Sequence, residues 1–347
     1  MGLLKIKAAS SLVRRCHGEA DRLSLLKKRV LNNIKIKKED FIMTNTKFVQ
    51  WPKFEEYKEM FKEHFIMEKR DDGVLLVRMH TKGGPQLWSM ELHRAIGQMW
   101  RIVGSDSEIE LVIFTGTGKD WIMDFEPESW APEITEPEYT RYEHMFIDGR
   151  RMLIAMIHDV EVPTIGVLSG TGGHAELALM CDICIMAEDA VIADPHFLYD
   201  IVPGDGIHSC LIELMGIRRA AYAMYMSQKL TAQQCLEYGL VNEVVPYDRL
   251  IPRAYEIADF IMARHRTIRR LTAQVVRRPW KQRIVDDLDM TFGTEMFGDF
   301  CKNVEHSNLA ARDYFYGTGE KIFYDVDRAK KQAEESKKTE KSKYEQE

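Results

Sequence analysis

Apolar and polar positions fall into short blocks from Phe65 onward, and each block predicts an element. Phe65–Met67 and Val74–Met79 are apolar runs split by Arg70-Asp71-Asp72-Gly73, and Asp-Gly between such runs is a hairpin signal. Met90–Ile102 carries helical spacing. Glu110–Phe114 is a short buried strand, ended by Thr115-Gly116-Thr117-Gly118. Tyr139–His158 is a long helix with Met145, Ile147, Met152, Leu153 and Met156 as its apolar positions, and Pro163 stops the pattern. Thr164–Leu168 is another strand. Gly170-Thr171-Gly172-Gly173 then leads into a helix over Ala175–Met180, and Asp182–Met186 returns to strand. A short strand at Ala190–Ala193 precedes the loop Asp194-Pro195-His196, and the turn Pro203-Gly204-Asp205-Gly206 opens another helix. Helices follow near 217–227, 231–238, 248–264 and 266–277, with a strand at Val241–Val245. Strands alternating with helices predict an α/β fold with a helical C-terminal part.

Composition narrows the class. The chain has 347 residues, 45% hydrophobic and 29% charged, which excludes a disordered chain, a collagen and a small disulfide module. No apolar run reaches the ~18 residues of a membrane span. The formal net charge of −6 provides no general attraction for nucleic acid. That charge is uneven. Residues 1–42 hold 11 Lys/Arg and 4 Asp/Glu, a local +7 that leaves −13 for the remainder. Residues 1–46 therefore read as a basic N-terminal extension. It is an appendage or a misassigned start ahead of Met43, an organellar leader, or a functional arm; without a leader the location is cytoplasmic. Ile6 stands where a myristoylation signal needs Ser or Thr. Residues 321–347 are a charged, solvated tail, so 47–320 is the folded domain. The six cysteines are irregularly spaced, as suits a reducing compartment, and Cys181-Asp182-Ile183-Cys184 reads as core rather than as zinc or redox chemistry.

The residues that can carry chemistry cluster in two loops. Gly170, Gly172 and Gly173 lack the phosphate-loop and dinucleotide signatures. They either serve a tight turn or aim backbone N–H groups at a developing oxyanion. His174 and Glu176 follow on the first helical turn, as a carbonyl donor and an acid–base candidate or as ordinary capping residues. His196 and Asp205 lie in loops, where structural need is weakest. An Asp against His Nδ1 fixes the tautomer and leaves the other nitrogen to deprotonate water. The bland alternative makes Asp205 a helix cap and His196 a solvated residue. His208 competes as a partner.

Several of these segments together resemble the crotonase (enoyl-CoA hydratase/isomerase) superfamily. They are Pro163-Thr164-Ile165-Gly166-Val167, Gly172-Gly173-His174-Ala175-Glu176-Leu177-Ala178-Leu179-Met180-Cys181-Asp182-Ile183, Ile201-Val202-Pro203-Gly204-Asp205-Gly206, Leu230-Thr231-Ala232 and Glu237-Tyr238-Gly239-Leu240-Val241-Asn242. The likeness runs from about Phe65 to about Phe300. It implies a crotonase-like spiral of repeated ββα units with a helical C-terminal part, and a homo-trimer or hexamer. Two departures narrow the group. The position of the second hydratase glutamate holds His196, and a neutral turn position holds Asp205. Both are similar to oxocamphor hydrolase and related β-diketone hydrolases. That likeness implies His196 and Asp205 as the activating dyad and His174 as the carbonyl-facing donor. It also implies Trp88 and Glu295 as substrate-side or supporting residues, beside Glu176 and Gly173.

The acidic segment Asp124-Phe125-Glu126-Pro127-Glu128 would repel the phosphates of coenzyme A. That favours a free small-molecule ketone substrate over a thioester, and the resemblance then implies hydrolysis of a carbon–carbon bond in a 1,3-diketone, giving a keto acid with no metal or other cofactor. Three other readings stay open: a hydratase or isomerase acting on an acyl thioester, another carbonyl enzyme using the same dyad, and a non-catalytic scaffold of the same fold.

Overall fold

The hairpin stands where the Asp-Gly signal puts it, after a short helix α1 (Phe54–Met60). β1 (Phe65–Lys69) and β2 (Val74–Met79) pair antiparallel, with Phe65 opposite Met79 and Lys69 opposite Leu75. The computed structural model describes residues 49–130 and 137–301. The proposed extension 1–46, the proposed tail 321–347 and the last part of the 47–320 domain lie outside the described residues. Contacts divide the chain into Met1–Trp51 and Pro52–Glu347, and only the second is described at length.

β3 (Gln86–Trp88), α2 (Met90–Ser105), β4 (Leu111–Thr115), β5 (Ile122–Phe125) and a helical turn α3 (Pro127–Trp130) follow. A long helix α4 occupies 137–159, wound as π-helix over Thr140–Asp148 and Ala155–Asp159. Next come β6 (Thr164–Leu168), α5 (Glu176–Leu179), β7 (Ile183–Ala187) and β8 (Val191–Ile192). A 3₁₀ turn at His196–Tyr199 precedes α6 (Ile207–Met215), α7 (Ile217–Tyr225), β9 (Leu230–Thr231), α8 (Ala232–Tyr238) and β10 (Glu243–Val245). The described chain ends in α9 (Leu250–Met262), α10 (Arg266–Val276) and α11 (Arg278–Cys301).

The main sheet has the order β1-β2-β4-β6-β7-β10, and every pair beyond the hairpin is parallel. β4 and β6 are buried along their whole length, the condition of parallel strands covered on both faces. α9 packs against β6 and β7, while α2 and α11 pack on α4. Two short pairs flank the sheet: β3 with β5, parallel, and β8 with β9, antiparallel. β3 and β5 carry no predicted element, because three or four residues are too few for a period to show. The Trp121–Pro127 segment is thus partly strand, with Trp88 opposite Phe125.

One buried cation ties the C-terminal helices to this core. Arg277 is almost fully buried; its Nε donates to Asp182 Oδ1 at 2.7 Å, and Nη2 donates to Asp182 Oδ2 and Val162 O. A paired, hydrogen-bonded arginine satisfies groups that would otherwise be costly to bury. From that anchor α11 places Ile284, Leu288, Phe292 and Glu295 on its buried face. Cys181 and Cys184 are free and buried, as the core reading expects. Among the described residues, no helix is long and apolar enough to cross a membrane.

Candidate active site

The glycine turn after β6 is fastened to β5. A Cβ on Gly172 would lie 2.4 Å from Ile122 N, so only glycine permits this approach. Gly173 N–H donates to Ile122 O at 2.7 Å, and Trp121 N–H donates to Thr171 O at 2.8 Å. The expectation that the turn aims its amides at an oxyanion therefore needs correction at Gly173. That residue lines the site, but its N–H is already bonded to β5.

The next residue is the exceptional one. His174 has φ of +54°, a left-handed conformation that costs an ordinary L-residue on the order of 1–2 kcal/mol. Trp121 Nε1 donates to its carbonyl at 3.1 Å and holds it there. Its ring stacks on Trp88, with centroids 3.7 Å apart at 17°. His174 Nδ1 lies 2.9 Å from Glu176 Oε1 and 3.4 Å from Asp205 Oδ2.

The second half of the site arrives from the 3₁₀ turn and the start of α6. Ile201 N–H donates to His196 O at 2.9 Å and folds the chain back, so that Asp205 faces His196. Asp205 Oδ2 lies 3.6 Å from His196 Nε2, and Asp205 Oδ1 accepts from Ile207 N–H at 3.3 Å. The expected pairing of Asp205 with His196 Nδ1 is therefore corrected. Nδ1 belongs to Asp194, whose Oδ1 is 2.5 Å away, and Asp205 faces the opposite nitrogen. The sequence places Asp194 in a loop without marking it as a candidate. Its signal was an Asp two residues before a His across a proline, a spacing that closes a local side-chain turn. Asp205 is not the cap of α6, which is Gly206; it accepts from Ile207 N–H beside that cap and faces both imidazoles. Glu295 is buried, and its Oε2 accepts from Gly204 N–H at 3.1 Å. His208 bonds Ser209 Oγ through Nε2 at 3.0 Å.

His174, Glu176, Asp194, His196 and Asp205 line a cavity of about 80 Å³. It holds roughly two or three waters at ~30 Å³ each, enough for a water and one reacting carbonyl. Trp88, Ile122, Tyr199 and Ile201 supply apolar wall, and half-exposed Phe125 with Asp124 marks the mouth. Among the described residues, no lysine or arginine lines the cavity.

Burial and mutual charge set the protonation. Burial alone would lower the His196 pKa, but Asp194, Asp205 and Glu295 push it well above the usual value. His174 is raised too, because Glu176 and Asp205 outweigh burial. Burial opposes ionisation of Asp205, yet the two imidazoles hold it below the ordinary carboxylate value. Glu295 is raised well above its usual value by burial and then by Asp205. Glu176 is raised for the same two reasons against the pull of His174. Two sets, His174–Glu176–Asp205 and His196–Asp205–Glu295, bring donor atoms within 4.8 Å of one another and have the composition of a cation site. Without invoking an ion, the arrangement places one carboxylate, Asp205, between the imidazoles of His174 and His196.

The sequence profile of the enoyl-CoA hydratase/isomerase family matches residues 103–314. A short-chain-enoyl-CoA hydratase of Clostridium acetobutylicum is 29% identical over 223 residues, 62% of this chain and 79% of that relative. A crotonyl-CoA hydratase of Syntrophomonas wolfei is 27% identical over 238 residues, 68% of this chain and 89% of that relative. Among solved structures, a beta-diketone hydrolase of the cyanobacterium Anabaena sp. PCC 7120, bound to (S)-3-oxocyclohexyl acetic acid, is 28% identical. It superposes with a TM-score of 0.65 over 77% of this chain and 99% of that one.

Proposed function

This chain belongs to the enoyl-CoA hydratase/isomerase family, and from that premise we propose that its site hydrolyses a carbon–carbon bond of a 1,3-diketone to give a keto acid. The observation that carries the reading is Asp205 lying between two imidazoles, 3.4 Å from His174 and 3.6 Å from His196. A second family glutamate would make a carboxylate pair suited to adding water across a double bond. An imidazole in its place suits attack of water on a carbonyl.

In the proposed sequence, His196 first releases its Nε2 proton to solvent, and neutral Nε2 then takes one from the attacking water. The hydroxide attacks one carbonyl of the diketone, forming a tetrahedral intermediate. The bond to the central carbon breaks, and its electron pair becomes an enolate through the second carbonyl. Protonated His174, backed by Glu176 and stacked on Trp88, donates to that oxygen. The proton taken by His196 returns to the central carbon. The second carbonyl is the electron sink, so this chemistry is complete without a redox group. The donor role falls on His174 because the Gly173 amide is bonded to β5.

A hydratase acting on an acyl thioester is the second reading, favoured by the two sequence relatives, an enoyl-CoA hydratase and a crotonyl-CoA hydratase. Against it stand Asp124 in the cavity lining and, among the described residues, the absence of lysine and arginine from that lining. The deciding experiment offers cyclic and linear β-diketones beside crotonyl-CoA. Loss of enol absorbance supports the proposal; hydration of the thioester alone overturns it. We also propose a homo-trimer or hexamer. α10 turns Arg269 and Arg270 inward onto Glu110 and leaves Ile268, Leu271 and Val275 outward.

A further inference from the structure

We propose that Asp194 is a positioning residue that fixes the ring of His196, so that Nε2 alone faces the cavity and Asp205. The proposal rests on the reading of His196 as the water-activating base. Asp194 Oδ1 accepts twice from the same residue, from Nδ1–H at 2.5 Å and from the backbone N–H at 3.1 Å. Pro195 closes the ring between them and restricts its backbone. The bonded nitrogen must carry the proton in the neutral ring, which leaves Nε2 as the basic one.

Asp205 cannot do this. Its oxygen is 3.6 Å from Nε2, too far for a hydrogen bond that orients a ring. The backbone under Asp194 is rigid. It lies two residues beyond β8, whose Ile192 pairs with Leu230 of β9 and bridges to Gly172. The Asp194 side chain is 1% exposed, and its Oδ2 has no hydrogen-bond partner. Its charge is therefore shared with the imidazole and little else. Four further groups face His196 and act on the same proton: Asp205 and His208 from the start of α6, Glu295 from α11, and His174 from the glycine turn. Of these, none bonds to Nδ1.

The first readout needs no substrate. In protein labelled at histidine Cε1, with the His196 resonance identified by its loss in His196→Gln, the titration midpoint of His196 is read by NMR. Asp194→Asn keeps an acceptor but removes the charge, and the midpoint drops by about one pH unit or more. On a cleavable diketone, the rising limb of kcat/KM against pH moves down by the same interval. An unmoved midpoint overturns the proposal, as does an equal loss of kcat/KM at every pH. If Asp194→Asn does not fold, the wild-type chain decides. A strongly downfield, slowly exchanging His196 Nδ1 proton supports the proposal, and its absence overturns it. A shifted midpoint in a chain that cleaves no diketone supports the positioning role and counts only against the diketone reading.

Discussion

His93 makes the wall behind the site sensitive to acid. It sits on α2, is 5% exposed, and meets Trp88 edge-on with centroids 5.1 Å apart. Its Nδ1 bonds to His144 O at 2.7 Å. Burial, and then the charge of His174, lower its pKa to about 4. In an unfolded chain the value is about 6.5. Between those values the unfolded state binds the proton and the folded state does not, so stability falls as pH falls. The slope approaches 1.4 kcal/mol per pH unit, and the loss reaches roughly 2.5 kcal/mol between pH ~7.5 and ~4.5. The assay is urea unfolding at both pH values for the wild type and His93→Asn. Asparagine can still donate to His144 O but does not titrate. Its smaller volume lowers stability at both pH values alike. The wild type should lose about 2.5 kcal/mol more than the variant on acidification. Losses that match within about 0.5 kcal/mol refute the assignment. A charged His93 would repel protonated His174, whose ring stacks on Trp88.

Other outcomes follow from the same geometry. Because base action needs neutral His196 and its pKa is raised, kcat/KM should climb with pH through a midpoint above about 6.5; a flat profile contradicts the base role. His174→Gly relieves a left-handed histidine but loses its stacking and hydrogen bond. Unfolding should therefore show stability within about 1 kcal/mol of wild type, while turnover drops about 100-fold or more. Glu295→Leu leaves Gly204 N–H buried without its acceptor and should cost roughly 1–3 kcal/mol by urea unfolding, whereas Glu295→Gln keeps an acceptor and loses less. Leu271→Glu places a charge on the outward face of α10, and light scattering should show a smaller assembly than the wild type.

Much of this site could be read before folding because it is local in the chain. His174 and Glu176 share one turn, and the glycines before them announce a close backbone approach. His196 and Asp205 are joined by a segment short enough to fold back on itself. Glu295 was nameable only through resemblance, since its burial depends on α11, which the buried Arg277 anchors from far along the chain. The nitrogen that faces Asp205 was out of reach too, because it depends on a side-chain torsion held by Asp194. The pairing of β3 with β5 lay in strands too short to show a period. It carries Trp88 to His174 and brings β5 against the glycine turn, where Ile122 O takes the Gly173 amide.

The measurement closest to the central claim follows the enol absorbance of a cyclic β-diketone with the purified full chain, alongside Asp205→Asn, His196→Ala and a crotonyl-CoA control. The account predicts diketone loss with wild type, a fall of at least about 100-fold in both variants, and no hydration of the thioester. Unchanged cleavage in the two variants, or turnover of crotonyl-CoA with none of the diketone, would contradict it.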